Sequence, residues 1–237
     1  MTNAAEAVGE AHPLDNPGWA ALSSYHQDFA EVHGRARRYR PDVSVFCAVD
    51  SFDEGSWADL AQLIGPDSQA VIFRDSLPEL PAGWTEIRRL GGHQLWISPH
   101  ELVDGTASGL RRLGDDDVSQ MLELVGVTRP GPFEARTIEM GRYHGFFEAG
   151  RLRAMAGERL HLDGYTEISA VCTHPDVRGR GLASALTRHV AAGIFERGER
   201  PFLHVAHGNE GALRVYEALG FTRRRAVEFA IVGSPAA

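Results

Sequence analysis

A strand that runs directly into a glycine-rich turn and a helix is the feature that most constrains the fold of this chain. In the stretch EISAVCTHPDVRGRGLASAL, the strand ends at Thr173, His174-Pro175-Asp176 breaks it, and a helix begins near Arg180. Small residues at positions 179, 181 and 183 allow a bulky ligand group to approach the backbone closely. The first helical turn leaves N–H groups unpaired and carries partial positive charge. The segment therefore predicts a seat for a phosphate or pyrophosphate.

This turn differs from the two common nucleotide-binding turns. It contains no G-x-x-x-x-G-K-[ST], and the spacing after Gly181 does not fit G-x-G-x-x-G. Leu182, Leu186 and Val190 give the following helix an apolar stripe that anchors it to a sheet. On the evidence of the turn alone, a tight structural turn without a ligand is the alternative interpretation.

The elements around this turn predict a sheet of mixed direction with helices packed on it. We expect helices beginning near residue 118 and over 180–197 and 209–219, and strands over 110–113, 142–148, 151–160, 165–173, 202–205 and 227–232. The order β-α-β-β-β-α-β-α-β is typical of such a fold. Asp115, Asp116 and Asp117 precede the first of these helices, and we interpret them as its cap and not as metal ligands.

The first hundred residues carry weaker signals. We expect helices over 19–32 and 57–64, and strands over 43–49, 70–73, 84–88 and 94–97. Residues 99–109 hold two glycines and few large apolar side chains, which is typical of a linker. We therefore predict an N-terminal α/β domain over 1–105 and a second domain over 106–237.

Two motifs in the second domain resemble a known family. Arg178-x-x-Gly181-x-Ala183 matches the R/Q-x-x-G-x-G/A signature of the GNAT superfamily of N-acetyltransferases, and 209–221 resembles its second signature, N-x-x-A-x-x-x-Y-x-x-x-G-F. The phrase EISAVCTHPDVRGRGLA is most similar to the branch resembling glycine N-acyltransferase. The resemblance implies an α/β (α+β) fold with a mixed, mostly antiparallel twisted sheet flanked by helices, preceded by a smaller α/β domain. By analogy with two-part relatives, we interpret that smaller domain as a degenerate copy of the same fold.

The resemblance also implies acetyl-CoA as the cosubstrate. Backbone groups of Val171 and Thr173 would pair with the pantetheine arm as with an added strand. Asn209 would contact the cofactor, and Tyr216 would lie near the coenzyme A sulfur. The pyrophosphate would be held by backbone N–H groups from Arg178, Gly179, Arg180, Gly181, Leu182, Ala183 and Ser184.

The implied reaction is direct attack of a neutral amine on the thioester carbonyl. Strand alternation places Glu167 on the face of Val171, where it would remove the amine proton, directly or through a water molecule. A backbone N–H near Val171 or Cys172 would stabilise the oxyanion. Tyr216, whose ordinary pKa is about 10, would donate a proton to the departing thiolate. The acceptor, a small-molecule amine or a protein amino group, would bind between residues 129–136 and the N-terminal domain.

Each of these roles has a structural alternative. Asn209 is a natural helix N-cap, Tyr216 fits a buried core position, and Glu167 would pair with an arginine such as Arg153 or Arg159. Two other functions compete with the enzyme. A non-catalytic acyl-CoA-binding module keeps Gly181 but needs neither Tyr216 nor Glu167, and a nucleotide-binding protein would hold ATP in the same turn.

The composition argues against several other classes of protein. A formal net charge of -8 disfavours a nucleic-acid-binding surface. Cys47 and Cys172 lie in apolar runs, so we expect two buried, reduced cysteines and no reactive nucleophile. The chain shows no secretory signal and no membrane-spanning run, so we expect a cytoplasmic protein, and we leave a homodimer open.

The histidines and arginines predict no further site. None of the 11 histidines belongs to an H-E-x-x-H motif, and His204 and His207 are expected to face different ways, so we predict no metal. The arginines of 35–40 and 223–225 are interpreted as solvated basic faces. Contact of the second group with the 3′-phosphate of coenzyme A is the alternative.

Overall fold

The computed structural model describes residues 12–103 and 109–236, and its main feature is one mixed sheet. Among these residues, eight strands join in the order β4-β11-β5-β10-β9-β8-β7-β6. All neighbours are antiparallel except β9 and β10, which run parallel. The strands are β4 (Gln69–Arg74), β5 (Thr85–Trp96), β6 (Leu110–Arg112), β7 (Tyr143–Glu148), β8 (Arg151–Leu162), β9 (Tyr165–Thr173), β10 (Arg200–Ala206) and β11 (Thr222–Gly233). The predicted mixed, mostly antiparallel sheet flanked by helices is confirmed.

The sheet does not divide at the predicted boundary between residues 105 and 106. The boundary itself lies within 104–108, outside the described residues, but the strands on either side of it are joined. Strand β5 pairs with β10 on one edge and with β11 on the other, and β4 pairs with β11. Strands from both predicted domains therefore share one sheet. The physical reason is that β4 and β5, which both precede residue 105, find their partner in β11.

Helices cover both faces of the sheet near β9. On one face, α4 (Leu182–Phe195) and α5 (Glu210–Ala218) bury Leu186, Val190 and Leu213 against Ile168. On the other face, α3 (Val118–Thr128) buries Met121 and Leu124 against Cys172. The turn before α3 is held by Asp117, which accepts hydrogen bonds from the Gly114 N–H at 3.0 Å and from Arg111 at 2.6 Å. That carboxylate is structural, as its position before a helix predicts.

The N-terminal segment departs from its predicted structure. A helix was expected over 19–32, but α1 covers only Pro17–Leu22, and Ala30–His33 forms β1. Strand β1 turns at Gly34 and pairs with β2 (Ala36–Tyr39), placing Glu31 opposite Arg38 in an ion pair of 2.6 Å. These residues form strands because the cross-strand partner lies close in sequence. Strand β3 (Cys47–Val49) completes this small sheet, and α2 (Glu54–Ile64) follows it.

The small sheet and α1 cover part of the main sheet. Ala36 and Tyr39 are buried, and the Tyr39 hydroxyl lies 2.9 Å from Nδ1 of His26. The predicted solvated basic face over 35–40 is therefore only partly exposed. The second predicted basic face is also paired: Arg224 lies 2.6 Å from Asp15, and Arg223 lies 3.0 Å from Glu217. Asp15 is distant from Arg224 in sequence, whereas Glu217 lies on α5, close before Arg223.

Candidate functional site

A groove opens where β9 and β10 diverge. The two strands pair only from Tyr165 to Glu167 on β9, opposite 200–202 on β10. Beyond that point each strand stays paired along its other edge, β10 with β5 and β9 with β8, while the two edges that face each other separate. The resulting cavity has a volume of about 540 Å³. It is lined by Thr128, Arg129, Pro130, Val171, Cys172, Thr173, Val177, Arg178, Gly179, Gly181, Leu182, Ala183, Ser184, Asn209, Gly211, Ala212, Val215 and Tyr216.

The glycine-rich turn forms one wall of this groove. Gly179 and Gly181 have φ angles of 76° and 74°, in the left-handed region where glycine is favoured. A Cβ built on either glycine would meet no atom within 4 Å, so the space beside the backbone is open. The first N–H of α4 that bonds to a carbonyl is that of Ala185, at 3.0 Å from Gly181 O. The N–H groups of Leu182, Ala183 and Ser184 precede it and lack helical partners, which suits an anion.

Helix α5 contributes a second wall. Asn209 caps it, because its side chain accepts a hydrogen bond of 3.2 Å from the Ala212 N–H while the residue also lines the groove. Tyr216 lines the groove with 7% of its surface exposed. Burial raises the pKa of the Tyr216 phenol, and proximity to Cys172 raises it further. The hydroxyl is therefore protonated at neutral pH and available as a proton donor.

Cys172 lies at the floor of the groove but is a weak nucleophile. Burial raises the pKa of its thiol to about 11, although a hydrogen bond with the Thr128 side chain lowers it in part. The thiolate is the reactive form of cysteine, so little of it exists at neutral pH. Cys47 is also free and buried, and burial raises the pKa of its thiol to about 11.

Glu167 does not reach the groove, contrary to the face assigned to it by strand alternation. Met155 pairs with Cys172 and Gly157 pairs with Ser169, so β9 advances three residues where β8 advances two. The extra residue forms a bulge at Ala170, which has a φ of 52°. One extra residue reverses the alternation that follows it. Glu167 and Val171 therefore lie on opposite faces of the strand.

Glu167 is instead the centre of a buried polar network. Its side chain has no exposed surface and accepts two hydrogen bonds of 2.7 Å from Arg159. The ring of His204 lies 2.7 Å away through Nδ1, and Phe46 of the N-terminal segment packs over the Arg159 guanidinium. Burial alone raises the pKa of Glu167, but the charge and hydrogen bonds of Arg159, with the His204 bond, lower it to about 2. This arrangement matches the structural alternative, an ion pair with Arg159.

Of the residues predicted to bind the cofactor, Arg180 is the one that does not line the groove. Its guanidinium forms an ion pair of 2.8 Å with Glu148. Sequence reasoning missed Thr128, Val177, Gly211, Ala212 and Val215 as lining residues, whereas Arg129 and Pro130 belong to the loop predicted for the acceptor. Gly211 and Ala212 lie inside the second motif, so their position next to Asn209 was an available signal. Thr128 carries no local signal, because only the packing of α3 on β9 brings it there.

The described residues also bear on metals and membranes. Across 12–103 and 109–236, no group of three or more His, Cys, Asp or Glu side chains is arranged to hold a metal ion. His204 is buried against Glu167, whereas the ring of His207 lies 4.7 Å from that of His93. In the same part of the chain, no helix combines the length and apolar character that crossing a bilayer requires.

Comparison with known proteins defines the family. A family described as FR47-like protein matches residues 143–230. A GNAT-family structure from Novosphingobium aromaticivorans is 36% identical, with 95% of this chain and 100% of that chain covered and a TM-score of 0.87. A GCN5-related N-acetyltransferase from Kribbella flavida is 19% identical over 92% of this chain and 96% of that one, with a TM-score of 0.61, and it supports the fold alone. The chain belongs to the GNAT family of acetyltransferases.

Two curated relatives have more specific names. A mycothiol acetyltransferase from Thermobispora bispora is 38% identical over 89 residues, which are 33% of this chain and 30% of that protein. A second mycothiol acetyltransferase, from Thermomonospora curvata, is 37% identical over 75 residues, which are 31% of this chain and 25% of that protein. The matched stretch therefore spans less than a third of the length of either relative.

Proposed function

We propose that this chain transfers an acetyl group from acetyl-CoA to a primary amine by direct attack. The observation that carries the proposal is the groove between β9 and β10, which has the glycine-rich turn on one wall and the buried Tyr216 on the other. The turn offers unpaired N–H groups to a diphosphate, and Tyr216 offers a protonated hydroxyl. One groove thus contains both an anion-binding site and a proton donor.

The residues present fit coenzyme A. The N–H groups of Leu182, Ala183 and Ser184 would hold the pyrophosphate, since they have no helical partner and the glycines beside them leave room. The edge of β9 from Val171 to Thr173 lacks a partner on the β10 side and would pair with the amide groups of the pantetheine arm. Asn209 lines the same cavity at the start of α5. The acyl thioester would then lie close to Tyr216.

The chemistry then follows from positioning. A neutral amine attacks the thioester carbonyl, and a backbone N–H near Val171 or Cys172 stabilises the oxyanion. As the tetrahedral intermediate collapses, the C–S bond breaks and Tyr216 gives its proton to the sulfur. None of the described residues that line the groove is an Asp, Glu or His, so the proton of the amine passes to water, and water returns a proton to the Tyr216 phenolate. Glu167 has no part in this proposal, because it is buried on the other face of β9.

The acceptor is proposed as a primary amine, on a small molecule or on a protein. The mycothiol acetyltransferases match only about a third of this chain, so their names support acetyl transfer but do not identify the acceptor. Similarity to the glycine N-acyltransferase branch stays a prediction. A panel of amines assayed by release of free coenzyme A thiol would identify the acceptor class.

Tyr216→Phe tests the catalytic role directly. We expect kcat to fall by about 10²- to 10⁴-fold, the range for loss of a general acid, while the Kd of acetyl-CoA measured by calorimetry changes little. Tyr143→Phe is a matched control, because that hydroxyl is buried, has no hydrogen-bond partner among the described residues and lies outside the groove. Equal kcat in the Tyr216→Phe variant and the wild type would remove Tyr216 from the mechanism.

Two outcomes would favour the other functions. A chain that binds acetyl-CoA but releases no thiol with any amine would be a non-catalytic binding module. A larger thermal stabilisation by ATP than by acetyl-CoA would favour nucleotide binding in the same turn.

A further inference from the structure

The groove has two sides that belong to different faces of the sheet. Helix α4 and its turn lie on the face where Leu186 packs against Ile168. The C-terminal end of α3 lies on the other face, where Leu124 packs near Cys172. If the turn before α4 holds the diphosphate of the donor, the side formed by residues 128–130 is left for the acceptor. Arg129 is the charged residue on that side.

The backbone of Arg129 is held in an uncommon conformation. Its φ is 48°, in the left-handed region, and its N–H donates a hydrogen bond of 2.8 Å to Val125 O at the end of α3. Pro130 follows, and a proline disfavours helical backbone conformations of the residue before it. An arginine therefore occupies a position where glycine or asparagine would be less strained. Such strain is found more often where a side chain has a functional role.

The charge around the groove is opposite to that of the whole protein. The chain has a formal net charge of -8, yet the charged side chains among the described groove-lining residues are Arg129 and Arg178. Arg178 lies in the turn and donates a hydrogen bond to Thr173 O at 3.3 Å. Arg129 has no ion-pair partner among the described residues, whereas Arg136 a few residues later is paired with Asp42 and Glu139. Within the described part of the chain, the acceptor side therefore carries positive charge with no acidic residue lining it.

We infer that Arg129 binds an anionic group on the acceptor, so that the preferred substrates are amines that also carry a carboxylate or a phosphate. This inference rests on the proposed function and deepens it. A guanidinium donates two parallel hydrogen bonds to either anion, which orients the ligand as well as attracting it. The cation also disfavours a second ammonium group on the acceptor, because no acidic residue is among the described residues that line the groove.

Matched pairs of amines test this preference in the full chain. The pairs are 4-aminobutyrate with n-butylamine, and O-phosphoethanolamine with ethanolamine. We expect kcat/KM for the better anionic amine to exceed that of its neutral partner by about tenfold to a hundredfold, the range for a hydrogen bond to a charged group. The pair with the larger ratio shows whether the group is a carboxylate or a phosphate. Equal values within both pairs would overturn the inference.

Two variants, Arg129→Gln and Arg214→Gln, test whether the preference for anionic amines depends on Arg129. Arg214 is exposed on α5 and does not line the groove, so its variant should keep the wild-type ratios. In Arg129→Gln, we expect both ratios to fall close to one while the Kd of coenzyme A, measured by calorimetry, stays unchanged. A weaker Kd for coenzyme A together with unchanged ratios would place Arg129 on the donor side and contradict the inference.

A binding measurement separates this inference from the proposed function. If no amine releases thiol from acetyl-CoA, the proposed function fails. Calorimetric binding of 4-aminobutyrate and O-phosphoethanolamine to the chain saturated with coenzyme A then decides the inference by itself. Binding that is lost in Arg129→Gln but kept in Arg214→Gln supports it, and equal binding by both variants, or none by the wild type, overturns it.

Discussion

The Arg159–Glu167 pair allows a quantitative test of what Glu167 does. Arg159→Met would leave a carboxylate with no exposed surface and His204 as its remaining close partner. Removing one member of a buried ion pair costs about 3–5 kcal/mol. The lowered pKa of Glu167, about 2 compared with an ordinary 4.5, corresponds independently to on the order of 3 kcal/mol. For a chain of this size we expect the Tm to fall by about 6–20 °C.

The pH dependence of stability has a definite sign. Because the folded-state pKa of Glu167 lies below its unfolded value, its contribution is fully present above about pH 4.5 and is lost as the pH falls toward 2. Urea unfolding across this range measures the loss in free energy. In the double variant Arg159→Met with Glu167→Gln, no charge remains unpaired between the two positions. We expect it to recover much of the stability and to lose this part of the acid dependence.

Kinetics then decide between a structural and a catalytic Glu167. In Glu167→Gln we expect a lower Tm but a kcat, per folded molecule and at a temperature well below Tm, within a few fold of wild type. A kcat lowered by about 10²- to 10⁴-fold with an unchanged Tm would refute the structural interpretation, because that is the signature of a lost general base.

Three smaller predictions concern the groove and its strand. Gly211→Leu should leave the fold intact, because Gly211 is exposed with open space at its Cβ, and should weaken coenzyme A binding by about tenfold or more through overpacking. Gly193→Leu, also in an open helical position but outside the groove, should leave coenzyme A binding unchanged. Equal Kd values for the two variants would contradict the placement of the ligand. Cys172→Ala should keep kcat within a few fold because the thiol pKa is about 11, and loss of turnover would make the thiol essential. Ala170→Gly should raise the free energy of unfolding by up to about 1 kcal/mol by relieving the left-handed φ, whereas a clear decrease would argue against the bulge.

Local signals account for the parts of the fold that the sequence predicts well. Strand β9 matches its predicted bounds, and α4 and α5 lie within a few residues of theirs. Each lies next to residues that end or cap an element: Pro175 and the glycines end the strand, Asn209 caps α5, and Gly220 follows it. The groove forms between these same elements, so most residues of the two motifs line it.

The failures arise where structure depends on distant partners. The bulge at Ala170 has no sequence signal, because alanine is not a residue that predicts positive φ, and this one residue changes the face on which Glu167 lies. The pairing of β5 with β10 and β11 also depends on register between remote segments. Thr128 reaches the groove only because α3 packs on β8 and β9. Periodicity and turn chemistry describe neighbours along the chain, not these contacts.

The position of β5 between β10 and β11 has a consequence for biosynthesis. A ribosome releases β5 long before either of its partners, so the middle of the sheet stays incomplete until Thr222–Gly233 has emerged. Such late, non-local pairing slows folding and leaves strand edges open to pairing with other chains. A nonsense mutation just before β11 would leave both β4 and β5 without β11 as a neighbouring strand. Strand β11 therefore completes a sheet in which its neighbours β4 and β5 are synthesised much earlier.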